Sequence, residues 1–458
     1  MPFFQFGNTA IASLWPLEQG GGLSLHLIIR RYTVKKIIKP SVISLALSLV
    51  LAHQANAANN WAEARNDAMG GTGVASARYG SGVLVNPALL AKANPEDDIT
   101  VILPSVQAQI TDPDNLRDEI DEINDRIDYY DDIVDSLGPE DLLNIGTRFR
   151  QFQGAAGELA DKLEFLDGKS ARASAAAGVA VSIPNDVLSV AFVTKAYAHA
   201  RISSDVDPND ITYLRNIQNN DLFAGGEILD AVINGGDAIT DNLRSSAFGR
   251  AAIVTDYGVA VAKKFDIGGV PVSLGVTPKL QQTWLYNYSA SIYNYDSSDL
   301  RNNRYRKDDT GFNVDAGIAA DLSENWSVGL SGQNLMSRDL DTKEVNGFKD
   351  TYQIRPLVTA GVSWQNDLVT LSADGDLTPT KHFKSEDDSQ YVGVGGEIRP
   401  LSWLALRAGY RADVKDNDAD VVTAGVGFAP FEKVRVDLAG MVGEDETWGA
   451  GAQLSLTF

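Results

Sequence analysis

The last stretch of the chain alternates strictly between apolar and small or polar residues. Its apolar side consists of Trp448, Ala450, Ala452, Leu454, Leu456 and Phe458, and its other side of Gly449, Gly451, Gln453, Ser455 and Thr457. A period of two predicts a β-strand whose faces meet different surroundings. In a soluble sandwich the apolar side would meet a core, whereas in a transmembrane barrel it would meet lipid and the other side a lumen. This strand alone leaves both interpretations open.

Similar alternation recurs along the chain between turn residues. It marks fourteen segments, at 98–110, 171–183, 187–199, 248–263, 270–285, 310–321, 325–335, 352–364, 368–378, 389–399, 402–411, 420–429, 433–442 and 447–458. The connections alternate between short ones (184–186, 323–324, 365–367, 400–401, 430–432) and long polar ones (200–247, 289–309, 336–351). An even strand number with short turns at one end and long loops at the other is typical of bacterial outer-membrane barrels. We therefore predict an all-β transmembrane barrel of about 14 antiparallel strands over 98–458, in the outer membrane of a Gram-negative bacterium.

Charges and prolines within the predicted strands refine this prediction. Asp315, Arg435 and Asp437 would be costly against lipid, so we expect them to face the lumen. Pro104, Pro278 and Pro356 lack the backbone donor of a strand, so each is expected at a bulge or kink. Pro104 and Pro356 lie near strand starts, where a proline is harmless. Pro278 is therefore the candidate for a strand kink.

Residues 113–167 break the strand pattern with a helical one. Two apolar seams flank Gly138 and Pro139; they consist of Leu116, Ile120, Ile123, Ile127, Tyr130, Val134 and Leu137, and of Phe149, Phe152, Ala156, Leu159, Leu163 and Leu166. This spacing predicts a helical hairpin inserted at the extracellular side. Seventeen acidic against six basic residues in 111–170 keep its outer face soluble. The hairpin either closes on itself, docks a partner protein or covers the barrel mouth; a polar loop with short helical pieces is expected at 205–245.

The N-terminal region has the pattern of a secretory signal. Lys35, Lys36 and Lys39 precede an apolar run over 42–52, and Ala55 and Ala57 supply the small residues of a cleavage site. We predict a signal peptide at 34–57. Residues 1–33 precede it awkwardly and are expected to be a non-native extension.

Composition narrows the possible chemistry. The chain has a net charge of -22, no cysteine and four histidines, which excludes disulfides and thiolate metal sites and argues against nucleic acid as a partner. Mean hydropathy of -0.13 and the absence of an apolar run of about 18 residues exclude a helical membrane protein. No nucleophile lies in a catalytic pattern with a histidine, so we expect no enzyme, no cofactor and no metal. Acidic runs at 386–388 and 416–420 are either solvated loop tips or cation sites that contact lipopolysaccharide.

Glycines are concentrated just after the signal. Gly70, Gly71 and Gly73 lie in the run 68–76, and Asn86 and Pro87 follow. A nucleotide-binding loop is disfavoured because the required glycine spacing is missing. The sequence "AMGGTGVAS" followed by "NPA", together with the terminal Phe458, resembles the FadL-type family of outer-membrane transporters for long-chain fatty acids and other hydrophobic compounds. The resemblance implies that 58–97 forms a plug inside a fourteen-stranded barrel, with these five residues as plug candidates.

Within that superfamily, the helical hairpin and acidic loops are more similar to the TraF-like proteins of conjugal transfer. The FadL resemblance implies passive uptake of a fatty-acid-like or other hydrophobic small molecule, released sideways into membrane lipid at a kinked strand. The early, acidic helices depart from the fatty-acid carriers, and an acidic mouth repels carboxylates. The alternative function is an envelope protein of conjugal transfer that docks a partner through 113–167. A soluble periplasmic sandwich is the third hypothesis.

Overall fold

The computed structural model describes residues 63–93, 99–135, 145–185, 187–219, 243–294, 299, 302–431 and 433–458. The predicted extension 1–33 and signal peptide 34–57 lie outside these residues, as do both ends of the predicted plug, 58–62 and 94–97.

The described strands close into one antiparallel barrel, in which the first strand pairs with the last. Fourteen of them form its wall: β1 (Thr100–Thr111), β2 (Ser170–Ile183), β3 (Ser189–Asp205), β4 (Ser246–Ile267), β5 (Val270–Ser291), β6 (Arg306–Asp321), β7 (Trp326–Gln333), β10 (Leu357–Gln365), β11 (Val369–Asp376), β12 (Tyr391–Leu401), β13 (Leu404–Asp413), β14 (Val421–Phe431), β15 (Val434–Gly443) and β16 (Trp448–Thr457). Each wall strand overlaps one predicted segment, so the barrel prediction is confirmed and the sandwich hypothesis is wrong. Short turns lie at one end and long loops at the other, which identifies the long-loop end as extracellular.

One predicted strand proves to be two elements. The segment 352–364 is divided between β9 (Thr351–Ile354) and β10. Pro356 lies in the gap, where its missing N–H costs no ladder bond. β9 instead pairs with β8 (Arg338–Asp341), which the sequence pattern did not predict, in a separate two-stranded sheet.

The barrel is apolar outside and polar inside. On β6 the outward Phe312 is 52% exposed, whereas the inward Asn313 and Asp315 are 0% and 4% exposed. Asp437 of β15 is also buried and inward, and Arg435, two residues earlier, shares its face. A closed barrel with an exposed apolar outer face is an outer-membrane structure, because lipid offers no hydrogen bonds to an open sheet edge. No helix within the described ranges is long and apolar enough to cross a membrane.

Three helices form a layer outside the barrel wall. They are α2 (Leu116–Asp135), α3 (Ile145–Leu166) and α4 (Pro208–Asn219), whereas α1 (Ala64–Asp67) lies within the barrel. The predicted seams meet in one buried cluster, which also contains Ile202, Ala247 and Tyr288 from the outward faces of β3, β4 and β5. The structure does not describe four side chains of the predicted seams, which are those of Tyr130, Val134, Leu137 and Phe149. The hairpin therefore packs against the flank of the barrel and not across its mouth.

The predicted loop 205–245 contains α4, whereas the short helical pieces expected at 222–223 and 228–232 lie outside the described residues. Residues 220–242 of that loop lie outside the described residues.

Candidate functional site

Residues 63–93 fill the half of the lumen nearer the short turns. They contain α1 and two short 3-10 helices, Gly82–Leu84 and Pro87–Ala91, and most of their side chains are buried. We call residues 63–93 the plug. Its polar groups bond to inward side chains of the wall, as expected for a segment folded inside a polar lumen.

Gly70, Gly71 and Gly73 bring the plug backbone against the wall. Gly70 and Gly71 have positive φ values of 67° and 79°, which only glycine adopts at no steric cost. The Gly70 amide donates to Thr423 Oγ1 at 2.9 Å. The amides of Gly73 and Val74 both donate to Asp374 Oδ2, at 2.7 and 2.8 Å.

Asn86 and Pro87 attach the plug to β6. Asn86 Oδ1 accepts the Ala88 amide at 3.0 Å and so caps the second 3-10 helix, whose first residue is Pro87. Asn86 Nδ2 donates to the carbonyls of Val74 at 2.8 Å and Ile318 at 3.2 Å. One side chain thus joins two parts of the plug to the wall.

Glycines of the wall make room for this close approach. A Cβ atom would collide with plug atoms at each of Gly275, Gly317, Gly329, Gly393, Gly395, Gly409 and Gly425. Several of these glycines are cross-strand partners, as Gly275 is of Gly317 and Gly395 of Gly409. We call these seven glycines, which make room for the plug, the glycine girdle. The sequence pattern does not reveal this girdle, because barrel register is needed to align its members.

A buried ionic cluster also holds the plug. The Glu397 carboxylate is fully buried and accepts from Arg65 Nε at 3.0 Å and from Arg407 Nε at 2.7 Å. Arg78 and Arg399 each approach its other oxygen at 2.9 Å. A carboxylate surrounded by guanidinium groups is the arrangement that compensates buried charge. The alternation along β12 already indicates an inward charge at Glu397, a signal that the sequence predictions did not include.

A second polar network lies on β3, β4, β5 and β6. Lys279 Nζ is 2.7 Å from both Asp256 and Asp315, and Lys195 Nζ is 3.5 Å from Asp315. Lys195 also donates to Leu84 O at 3.4 Å, which links this network to the plug.

One sector of the lumen wall is apolar. Its inward side chains, Ile102, Ala180, Ala191, Val193, Ala260 and Ala262, pack against Val83, Leu84, Val85 and Leu90 of the plug. The sector spans β1 to β4. We call it the apolar sector.

Two interruptions of strand pairing border the apolar sector. On β1, Leu103 and Pro104 pair with neither neighbour, and the register shifts between Ile102 and Ser105 on both sides. Between β4 and β5, pairing stops after Gly258–Lys279 and resumes at Val261–Val276 in the same register. Pro278 therefore lies at a local loss of pairing without an extra residue, and Pro104 at a bulge.

Loops fold into the extracellular half of the lumen. The β8–β9 hairpin and Phe383, from the loop 377–390, pack against inward residues of β4 and β5. In the same loop, Glu386 Oε2 lies 2.6 Å from His199 Nε2, and the rings of His199 and His382 stack at 3.9 Å. Cavities of about 40, 20 and 30 Å³ lie beside these loops and the plug, far below the roughly 300 Å³ of a preformed ligand pocket.

Burial and neighbouring charge fix the protonation of the loop. Burial lowers the pKa of His382 to about 3. Burial alone would raise the pKa of Glu386, but the adjacent His199, with His382 and Arg201, lowers it to about 2. The described residues include no group of three or more His, Cys, Asp or Glu placed to hold a metal ion.

The fold and its lumen define a plugged outer-membrane β-barrel. A family model described as "F plasmid transfer operon, TraF, protein" matches residues 83–376. The chain belongs to this family, which confirms the resemblance to TraF-like proteins. No curated protein matches the chain.

Several solved structures are similar. The Ralstonia pickettii toluene transporter TbuX is 13% identical over 86% of this chain and 97% of its own, with a TM-score of 0.47. The P. putida toluene transporter TodX is 13% identical over 86% of this chain and 97% of its own, with a TM-score of 0.45. A Pseudomonas aeruginosa FadL homologue is 10% identical over 88% of this chain and 99% of its own, with a TM-score of 0.46.

Proposed function

We propose that the protein mediates passive uptake of a hydrophobic, fatty-acid-like small molecule across the outer membrane. The cargo enters at the extracellular mouth, passes beside the plug and leaves sideways into lipid. The proposal assigns the protein no chemical reaction and no cofactor. Its surroundings are outer-membrane lipid and lipopolysaccharide.

The filled lumen argues against a simple aqueous pore. The plug occupies one half and the inward loops occupy the other, so a polar solute has no wide axial path along the described residues. A hydrophobic molecule gains from a different route, because it exchanges water first for apolar side chains and then for lipid.

The observation that carries the proposal is the position of the apolar sector. It lies between the β1 bulge and the β4–β5 gap, two places where strand pairing in the wall is interrupted. Opening a wall at such points breaks fewer backbone hydrogen bonds than elsewhere, and each broken bond is costly in lipid. A small shift of Leu84 and Leu90 would connect the lumen with the bilayer there.

Uptake of a tritiated fatty acid by cells or by protein-containing vesicles tests this route. Ala191 faces the lumen and is fully buried, so Ala191→Trp should block the apolar sector and reduce uptake about tenfold, the effect of a barrier raised by roughly 1.4 kcal/mol. Val190→Trp places the same side chain on the lipid side of the same strand and should leave uptake unchanged. Equal uptake by both variants and the parent protein would contradict the proposed route.

A second candidate function is docking of an envelope or conjugation protein through 113–167. It is favoured by membership in the transfer-operon family and by exposed acidic residues on α2, among them Glu122, Asp125 and Asp128. A basic partner surface would complement them. Replacing all three with lysine should abolish co-purification of the partner and leave uptake intact. If uptake falls and co-purification persists, docking through this face is wrong.

A further inference from the structure

Three arginines stand side by side on the lumen face near the extracellular end. Arg172 of β2 is the cross-strand partner of Arg201 of β3, which is the partner of Arg250 of β4. Like charges directly opposite one another destabilise a sheet. Such a row therefore needs anions, from the protein or from a ligand. We call these residues the arginine row.

Inward loops supply negative charge to the two outer arginines. Arg250 Nε lies 3.3 Å from Asp350 Oδ2, and its NH1 group donates to Ser385 Oγ at 3.0 Å. Arg172 lies 3.5 Å from Asp418 Oδ1. Each outer arginine therefore has a carboxylate of its own.

The middle arginine is the least satisfied of the three. Arg201 donates to Ser170 Oγ at 3.2 Å, a neutral acceptor. Its buried Nε has no hydrogen-bond partner among the described residues. The centre of the row can therefore accept a further anion.

The loop 377–390 brings one carboxylate to this row. Glu386 reaches His199, the inward residue of β3 next to Arg201, and its side chain is 5% exposed. One carboxylate oxygen is bound by His199, whereas the other is buried without a hydrogen-bond partner among the described residues. The carboxylate is therefore held by His199 next to the arginine row but is only half satisfied, which makes it replaceable.

Apolar side chains continue the site inward. The inward residues of β4 that follow Arg250 are Ala252 and Val254, and both pack with Tyr352, Ile354 and Phe383. Phe383 belongs to the same loop as Glu386. Charge at the mouth with an apolar surface beneath it complements an amphiphile with an anionic head.

We propose that the arginine row and His199 bind the oxyanion head group of an amphiphilic ligand, and that Glu386 occupies this site until the ligand displaces the loop 377–390. Displacement withdraws Phe383 and opens the lumen below. The inference builds on the proposed uptake route, since it specifies the head group of the cargo and the step that admits it.

Cysteine labelling tests the displacement, because the chain has no native cysteine. Ser389 belongs to the loop and is 4% exposed; Ser389→Cys is a conservative probe. The maleimide labelling rate of the purified protein in an uncharged detergent is measured with sodium dodecanoate, with dodecanol and with sodium acetate. Dodecanoate should raise the rate about tenfold, which corresponds to a population shift of roughly 1.4 kcal/mol, and dodecanol should not.

Variants of the row and loop identify the groups involved. In the Ser389→Cys background, Arg201→Gln should abolish the response to dodecanoate, whereas Arg201→Lys should retain most of it. Glu386→Gln should speed labelling without any ligand. Arg304→Gln, in an exposed extracellular loop, removes the same charge outside the row and should change nothing. Heat-modifiable migration on a gel verifies folding of each variant.

The outcomes separate this inference from the uptake proposal. Acceleration by acetate as well as dodecanoate supports an anion site that recognises the head group alone. Equal acceleration by dodecanol, or none by dodecanoate, overturns the inference even if Ala191→Trp blocks uptake. A response of Ser389→Cys to dodecanoate, with uptake insensitive to Ala191→Trp, supports the anion site and removes the lateral route.

Discussion

Arg65 of the plug and Glu397 of β12 form an ion pair of 3.0 Å, although 332 positions separate them in the chain. Both side chains are almost completely buried. Glu397 also pairs with Arg407, which has a second carboxylate, Asp437, at 2.7 Å. Removal of Glu397 would therefore leave the buried Arg65 without its ion-pair partner.

Glu397→Ala is therefore expected to destabilise the seated plug. Breaking a buried ion pair from one side costs about 3–5 kcal/mol. We expect a lower urea midpoint in detergent and a higher conductance in planar bilayers. Glu324→Ala, at an exposed turn, is the control, and identical conductance of both variants would show that Glu397 does not hold the plug.

The glycine girdle gives a steric prediction. A Cβ on Gly317 would collide with Asn86, and overpacking of this kind costs about 1–3 kcal/mol. Gly317→Ala should make the plug accessible to protease while the barrel still folds. Gly440→Ala, where nothing lies within 4 Å of the added Cβ, should behave like the parent protein. Protection of the plug from protease in both variants would contradict tight packing of the plug against the wall.

Asn86 should contribute more to the free energy of unfolding than a residue that only caps a helix. Asn86→Ala removes a helix cap and also bonds to Val74 O and Ile318 O, leaving buried carbonyls unsatisfied at about 1–3 kcal/mol. Asn302 caps another 3-10 helix in an exposed loop, accepting the Arg304 amide, so Asn302→Ala isolates the capping contribution. Chemical denaturation of both variants in detergent measures the difference. Equal losses of unfolding free energy in the two variants would show that Asn86 acts only as a helix cap.

Acid should release the loop 377–390. The pKa of Glu386 is lowered from 4.5 to about 2 and that of His382 from 6.5 to about 3. Both lowered values favour the folded loop at neutral pH, and this stability is lost as the pH falls from 6.5 toward 3. A nitroxide on Lys384→Cys should become more mobile over that range in electron paramagnetic resonance spectra. The double variant Glu386→Gln and His382→Gln should flatten the dependence of nitroxide mobility on pH. An unchanged dependence would show that these two groups do not cause the release of the loop.

The helical layer should unfold separately from the barrel. Leu159 is buried between the helices at 1% exposure, and Leu→Ala in a core costs about 2–5 kcal/mol. Leu159→Ala should lower the helical circular dichroism signal while heat-modifiable migration of the barrel persists. Glu158→Ala, on the exposed side of the same helix, is the control. Loss of both signals together would show one cooperative unit.

Local pattern predicted most of the fold. Side-chain alternation is a property of neighbouring residues, so it located the fourteen strands, and the inward position of Asp315 and Asp437 followed from the cost of charge in lipid. The hairpin seams from Leu116 to Leu166 were predictable for the same reason, since helical spacing is also local. The split at Pro356 was missed because a strand pattern continues across it.

Only the tertiary structure decided what the lumen contains. The pairing of Arg65 with Glu397, the girdle around Gly317 and the arginine row depend on barrel register, which aligns residues hundreds of positions apart. Register is set by closure of the whole sheet and by the turns, and no single segment encodes it. The sequence by itself thus determined which side chains face inward, and closure of the barrel decided which of them meet.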